Sequence, residues 1–428
     1  MKTAICGGRL IDPSQDIDGL FDIIIENDLV SDIVKPGMVK DVDNIINAKG
    51  LVVIPGIVDI HIHLRDPGYE YKEDIASGTM AAAAGGVTSV ACMANTKPVN
   101  DNASVTADII RRSRESGHVK VYPIGAMTKG LKGDELAEIA CMKEAGIVAV
   151  SDDGLPVNSA EIMRRGLEYS LGLDLPVISH AEEPSLSKGG SMNEGYRSTV
   201  MGLQGIPNAS EDIMVMRDIA LAELTGARLH IAHISSEAAV RFVREAKTRG
   251  VRVTAEAAPH HFVLTEEALE GYDANTKMNP PLRCLKDVEA IKAGLKDGTI
   301  DAVATDHAPH TTIEKDVEFD KAACGIIGLE TLLPLTLSLV DEGVLSLDEA
   351  VRKLTINPAN IIGIKGGSLK EGMPADIAII DIDTSYRYDK SKVKSKSNNT
   401  PFDGWEMKGR AAYTIVNGKI VYKGESYE

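Results

Sequence analysis

The sequence predicts an α/β fold, a (β/α)8 TIM-like barrel with a small composite β-domain built from both chain ends. Three observations predict it. Short apolar runs alternate with longer amphipathic stretches from about residue 52 to 340. Eight such runs can be counted, which favours a closed barrel over a doubly wound open sheet. The two ends differ in texture, with short strand-like pieces broken by Asp and Gly turns.

The predicted barrel strands begin with "VVIPGIVDIHIH" (52–63), "GVTSVACMAN" (86–95), "VKVYPIGAM" (119–127) and "GIVAVSDDG" (146–154). They continue with "PVISHAE" (176–182), "RLHIAHIS" (228–235), "VRVTAEAAPHH" (251–261) and "DAVATDHAPH" (301–310). Between them lie helical patterns such as "DELAEIACMKEAG", "EDIMVMRDIALAELTG" and "SEAAVRFVREAKTRG", each ending in the Gly that often closes a helix. Residues 1–53 carry "TAICGGRLID" and "FDIIIEN", and residues 366–428 carry "PADIAIIDID" and "AAYTIVNGKIVYKG". Neither end would bury much core alone. Together they are expected to form a small β-sandwich-like domain (1–53 and 366–428) beside a barrel of residues 54–365. The lysine-rich stretch "DKSKVKSKSNNT" (389–400) reads as a solvated loop.

Composition narrows the function. With 4% aromatic residues, the core must rest on Ala, Val, Ile, Leu and Met. A net charge of -17 argues against a nucleic-acid or acidic-membrane partner, but leaves room for a small anionic substrate. Five scattered cysteines without C-x-x-C suggest reduced thiols and a cytoplasmic setting. The opening "MKTAICGGRLIDPS" is too short in its apolar run for a secretory signal, and no run of about 18 apolar residues suggests a membrane span.

Chemistry in such barrels sits at the C-terminal ends of the strands. The ionisable residues fall there repeatedly: His61 and His63, Asp152 and Asp153, His180, His233, then Asp306 with His307 and His310. Taken singly, each has an ordinary reading as a satisfied polar residue, and "DDG" is a common turn. Taken together, six of the ten histidines lie at strand ends, and burying so many imidazoles and carboxylates without partners is costly. A metal resolves that cost, and this mixture of donors suits zinc or a similar divalent ion. Four His and two Asp exceed one four-coordinate ion but suit two ions sharing a carboxylate. Alternation places Asp152 and Asp153 on opposite faces, so one of them can share the ions; the residues alone leave open which.

"DIHIHLRDPG" and "ATDHAPHTTIEK" resemble the two signature segments of dihydroorotases, in the amidohydrolase superfamily. "KMNPPLR" (277–283) and "PGYEYKED" (67–74) strengthen the resemblance, and "GGRLIDP" and "GSLKEGMPADIAIID" resemble that family's β-domain. The resemblance implies two Zn2+ per subunit: His61 and His63 on one with Asp306, His180 and His233 on the other. The fourth strand lacks the carboxylated lysine of some relatives and of hydantoinases or allantoinases. It is similar to the bacterial type I branch, where an aspartate bridges, here Asp153. Arg65 and Asn95 would grip the substrate carboxylate, Asn279 the ring, and His310 either; the loop at Cys324 and Gly325 would add contacts. A salt bridge of Arg65 with Asp66 or Glu70 stays open as its other reading. Where relatives often read Pro-Phe-Gly, this chain has Ala323-Cys324-Gly325.

The implied reaction is the reversible interconversion of N-carbamoyl-L-aspartate and L-dihydroorotate in de novo pyrimidine synthesis. It would use a metal-bridging hydroxide, with Asp306 as general base and acid. The implied partners are the small-molecule substrate, a second copy in a homodimer, and aspartate transcarbamoylase. The competing expectations are a hydantoinase- or allantoinase-type cyclic amidase and an inactive scaffold paralogue.

Overall fold

In the computed structural model, which describes residues 2–427, eight parallel strands stand in sequence order around one axis. They are β1 (Ile57–Ile62), β2 (Val87–Cys92), β3 (Lys120–Gly125), β4 (Ala149–Val150), β5 (Val177–Ser179), β6 (Leu229–Ile231), β7 (Val253–Ala257) and β8 (Ala302–Val303). The ring closes where β8 runs out. There Ile62 bridges His307 in parallel, the His63 amide donates to His307 O at 2.9 Å, and Thr305 Oγ1 donates to Asp59 Oδ2 at 2.6 Å.

The strands are apolar on both faces, as a parallel sheet covered on both sides requires. One buried cluster joins Val58, Ile60, Ala91, Met93, Ile124, Ala149, Ile178, Ala232, Ala302 and Ala304. Residues from seven strands can meet only inside the barrel. Ala359, Ile361 and Ile362, from the helix Ile356–Ile362, complete that cluster. A larger cluster packs Ile57, Val87, Leu229 and Val253 against outer helices, among them Ile75–Ala84, Ala209–Thr225 and Glu237–Thr248. The expected glycine ends are present: Gly146 and Gly226 cap their helices in the left-handed region, φ 119° and 72°.

The predicted strand 52–63 is two strands. Val52–Pro55 belongs to a six-stranded sheet, pairing in parallel with Arg9–Asp12 and antiparallel with Ile377–Arg387; only after Gly56 does the chain enter the barrel. A Cβ on Gly56 would stand 2.1 Å from Thr88 Oγ1, so the crossing needs glycine. That sheet faces a four-stranded one (Lys2–Cys6, Asp22–Glu26, Leu29–Val34, Asn44–Asn47) across Ile5, Leu10, Ile23, Val53, Ile377 and Ile415. Both chain ends thus share one apolar layer. Among the described residues no helix is long and apolar enough to cross a membrane.

Segment 389–400 is not the solvated loop its composition suggests. Ser395, Ser397, Asn399 and Thr400 are buried. Ser395 Oγ donates to Glu73, and Ser397 Oγ donates to Lys72 O at 2.7 Å. The lysines face outward while the alternate small polar side chains anchor the segment over the C-terminal mouth of the barrel.

Candidate metal centre and active site

Side chains from five strand ends converge at that mouth. β1 carries one extra residue, since its ladder steps from Asp59–Val90 to Ile62–Cys92. This bulge turns His61 and His63 toward the site although Val58 and Ile60 also face inward. His233 and Asp306 adopt left-handed backbone, φ 31° and 49°, which aims each side chain into the cavity at a conformational cost.

Asp153 lies at the centre. Its Oδ2 is 3.4 Å from His63 Nε2, while its Oδ1 is 3.2 Å from His61 Nε2, 3.5 Å from His233 Nε2 and 3.6 Å from His180 Nδ1. Asp306 Oδ1 is 3.1 Å from His63 Nε2 and 3.5 Å from His61 Nε2. His61, Asp153 and His233 form one potential ligand group, and His61, His63 and Asp306 another. Asp152 turns away: it accepts from the amides of Met127 and Thr128 at 2.8 and 2.9 Å and from the Thr128 hydroxyl. That settles which of the two faces the histidines.

The outer nitrogens of the imidazoles are held by polar neighbours. His61 Nδ1 donates to Glu256 Oε1 at 2.6 Å, and Glu256 Oε2 also takes His230 Nε2 at 3.0 Å. His63 Nδ1 donates to Asn95 Oδ1 at 2.9 Å, and His180 Nε2 to Glu182 Oε2 at 3.0 Å. Such partners leave the inner nitrogen as the lone-pair donor a metal needs. His61 Nε2 and Asp153 Oδ1 are buried and make no hydrogen bond, so a cation between them satisfies both.

Electrostatics points the same way. Burial alone would raise the Asp153 carboxyl, but His61, His180 and His233 hold it well below its ordinary range. Burial would lower His180, yet Asp153 and Glu182 lift it to about 10. The acids here demand positive charge, which a metal pair would supply.

Beside this cluster is a cationic flank. Arg65 Nη2 lies 3.5 Å from His310 Nε2, and Arg65 makes no ion pair with a carboxylate among the described residues. Asp66 pairs instead with Arg112 at 2.9 Å, and Arg112 reaches Glu70 at 3.5 Å, so the salt-bridge reading of Arg65 is corrected. Asn279 Nδ2 donates to Glu182 Oε2 at 2.8 Å, beside His180. Gly325, φ 114°, donates its amide to Lys277 O at 2.9 Å and packs so closely on Ala308 that a Cβ would stand 2.5 Å from that side chain. Its carbonyl accepts from Lys315 and Asn399. Cys324 is exposed. His307 is elsewhere, between Glu73 and the Gly328 amide.

Sequence reasoning missed Glu256, Glu182, Lys72 and Asn399. Glu256 had a readable signal, a lone acid inside an apolar strand. Asn399 had none, because its partners Ala308, His310 and Gly325 lie far away in the chain.

Residues 50–239 match the family described as Dihydro-orotase-like, and residues 276–422 match the Amidohydrolase family. A protein from Geobacter metallireducens named dihydroorotase is 57% identical over 99% of this chain and 100% of its own length. One of the same name from Syntrophotalea carbinolica is 55% identical over 99% of each. Among solved structures, the L-hydantoinase (dihydropyrimidinase) of Arthrobacter aurescens aligns with a TM-score of 0.89 at 24% identity, covering 98% of this chain and 96% of that one. The dihydropyrimidinase of Brevibacillus agri gives 0.86 at 24% identity, over 99% and 95%. At such identity the likeness is one of fold.

Proposed function

Because the chain belongs to the dihydroorotases of the amidohydrolase superfamily, we propose that it interconverts N-carbamoyl-L-aspartate and L-dihydroorotate with a pair of zinc ions. His61, His63 and Asp306 would hold one ion and His180 and His233 the other, with Asp153 shared. Bound zinc supplies Lewis acidity and lowers the pKa of water toward 7. The observation that carries this reading is Asp153, whose two oxygens face different histidines.

The chain's own groups do the rest. Arg65 and His310 form the flank that would take the substrate carboxylate, Arg65 as a planar fork suited to it. Asn279 is placed to contact the ring, and the loop at Cys324 and Gly325 to border it. Asp306 moves the proton: it accepts one as water adds to the ring carbonyl and returns it to the departing ring nitrogen. It must be ionised to begin. Burial would oppose that, but the hydrogen bond from His63 and the charges of His61 and His233 hold its pKa below the ordinary range. Closure removes one carboxylate and so consumes a proton; acid favours the ring and alkali the open chain.

The test is an assay with carbamoyl aspartate, dihydroorotate and dihydrouracil, run beside zinc quantification. Turnover of the first two with about two ions per chain is expected. Preference for dihydrouracil would instead favour a cyclic amidase without a carboxylate requirement, and turnover of none would favour the scaffold reading. We further place the enzyme in the cytoplasm, in pyrimidine synthesis, as a homodimer able to associate with aspartate transcarbamoylase. Its five unpaired cysteines and its family support that placement, and co-sedimentation tests the association.

A further inference from the structure

His310 stands between two cations. Its Nε2 lies 3.5 Å from Arg65 Nη2 and its Nδ1 3.4 Å from Lys72 Nζ. Both neighbours are donors only, whereas a neutral imidazole has one N–H and one lone pair. It can therefore accept from one of them and not from both. Protonation offers no way out. Burial first, then the charges of Arg65, Lys72 and Lys315, push His310 down to about 3, with Glu314 opposing.

The two sides are not equivalent. Lys72 is fixed: its side chain is 13% exposed and its Nζ lies 2.5 Å from Glu314 Oε1, beside the rings of Tyr69 and Tyr71. On that side Nδ1 has no acceptor in reach. Glu314 Oε2 is 3.7 Å away and already accepts from Thr311 N and Oγ1, each at 3.0 Å. Arg65 is bound more loosely, its Nε reaching Pro309 O at 3.4 Å. The lone pair therefore belongs on Nδ1, facing Lys72.

We propose that Lys72 is a positioning residue, which holds His310 as the tautomer whose Nδ1 accepts and whose Nε2–H donates, so that Nε2–H and the Arg65 fork converge on one substrate carboxylate. This rests on the reading that the carboxylate is taken at this flank. Glu314 keeps the Lys72 ammonium in place. Without Lys72, Nδ1–H would turn toward Glu314 and the Nε2 lone pair would face the carboxylate, a repulsive contact. The group recognised is an α-carboxylate on a small ring or on its open form; a ring lacking it gains nothing from this device.

The experiment is long-range 1H–15N spectroscopy of the zinc-loaded, substrate-free protein, with the His310 signals assigned by His310→Gln. The wild type should show a pyridine-type Nδ1 and a pyrrole-type Nε2. In Lys72→Met the pattern should mix or invert, and KM for carbamoyl aspartate should rise about tenfold while kcat stays within about threefold. Lys72→Arg should restore most of the KM. A pyrrole-type Nδ1 in the wild type overturns the proposal, as does an unchanged KM in Lys72→Met. Should Lys72→Met fail to fold, the wild-type spectrum still decides. A wild type that ignores carbamoyl aspartate would defeat the functional reading while the spectrum still judges the tautomer.

Discussion

The two flanks of the site are built in different ways. The His/Asp cluster (His61, His63, Asp153, His180, His233, Asp306) comes from strand ends, within three residues of the barrel's hydrogen-bond ladder. The cationic flank (Arg65, Lys72, His310) comes from loops, held by side chains that reach backbone groups across the chain. Asn399 is the clearest of these. Its Oδ1 accepts from His310 N at 3.1 Å, and its Nδ2 donates to Ala308 O and Gly325 O, both at 3.0 Å. Short tethers to the ladder leave the first flank little room to move, whereas the loop flank can be loosened without dismantling the barrel. Changes in the first flank should therefore abolish chemistry, and changes in the second should weaken binding.

The largest expected effect tests the first half of that contrast. Asp306→Asn keeps the shape and loses the base, so kcat should fall about 10³-fold or more while zinc remains bound. Turnover within a few-fold of wild type would assign the proton transfer elsewhere.

Asn399→Ala tests the second half. It leaves the Ala308 carbonyl without its side-chain donor and frees the His310 amide, so KM should rise about tenfold and Tm should fall, with kcat much less affected. Thermal melting and steady-state kinetics on one preparation measure both. An equal loss in kcat would erase the distinction between the flanks.

How much of this was legible follows the same division. His61 and His63 were readable because strand alternation puts them on one face, and the rival assignments of Asp152 and Asp153 were reduced to one question by the same rule. The bulge in β1 was not readable, since an extra residue leaves no mark in an apolar run. The junction at Gly56 was hidden for the same reason. Loop 389–400 misled because its lysines advertise solvation, whereas Ser395, Ser397 and Asn399 between them do the anchoring. Their partners are set by tertiary contact, which a linear pattern of polarity does not encode.

A prediction on stability rather than turnover concerns Lys315, which braces the loop between the flanks by donating to Ala323 O and Gly325 O at 2.7 and 2.9 Å. Burial, with the Lys277 cation adding to it, lowers its ammonium to about 8. Below pH 8 both folded and unfolded chains hold this proton and the burial penalty is constant. Between about 8 and 10.5 only the unfolded chain holds it, so stability rises with pH across that window. Relative to Lys315→Met, the wild type should gain up to about 3 kcal/mol there, read by urea unfolding at each pH. A flat difference would show that the brace carries no buried charge.

The central claim is that one aspartate and five other side chains clasp two metal ions. Anomalous diffraction at the zinc edge from crystals of the active enzyme tests it most directly. The account predicts two peaks sharing Asp153, one also touching His61, His63 and Asp306, the other His180 and His233. A single peak, or an active enzyme with no peak at Asp153, would contradict it.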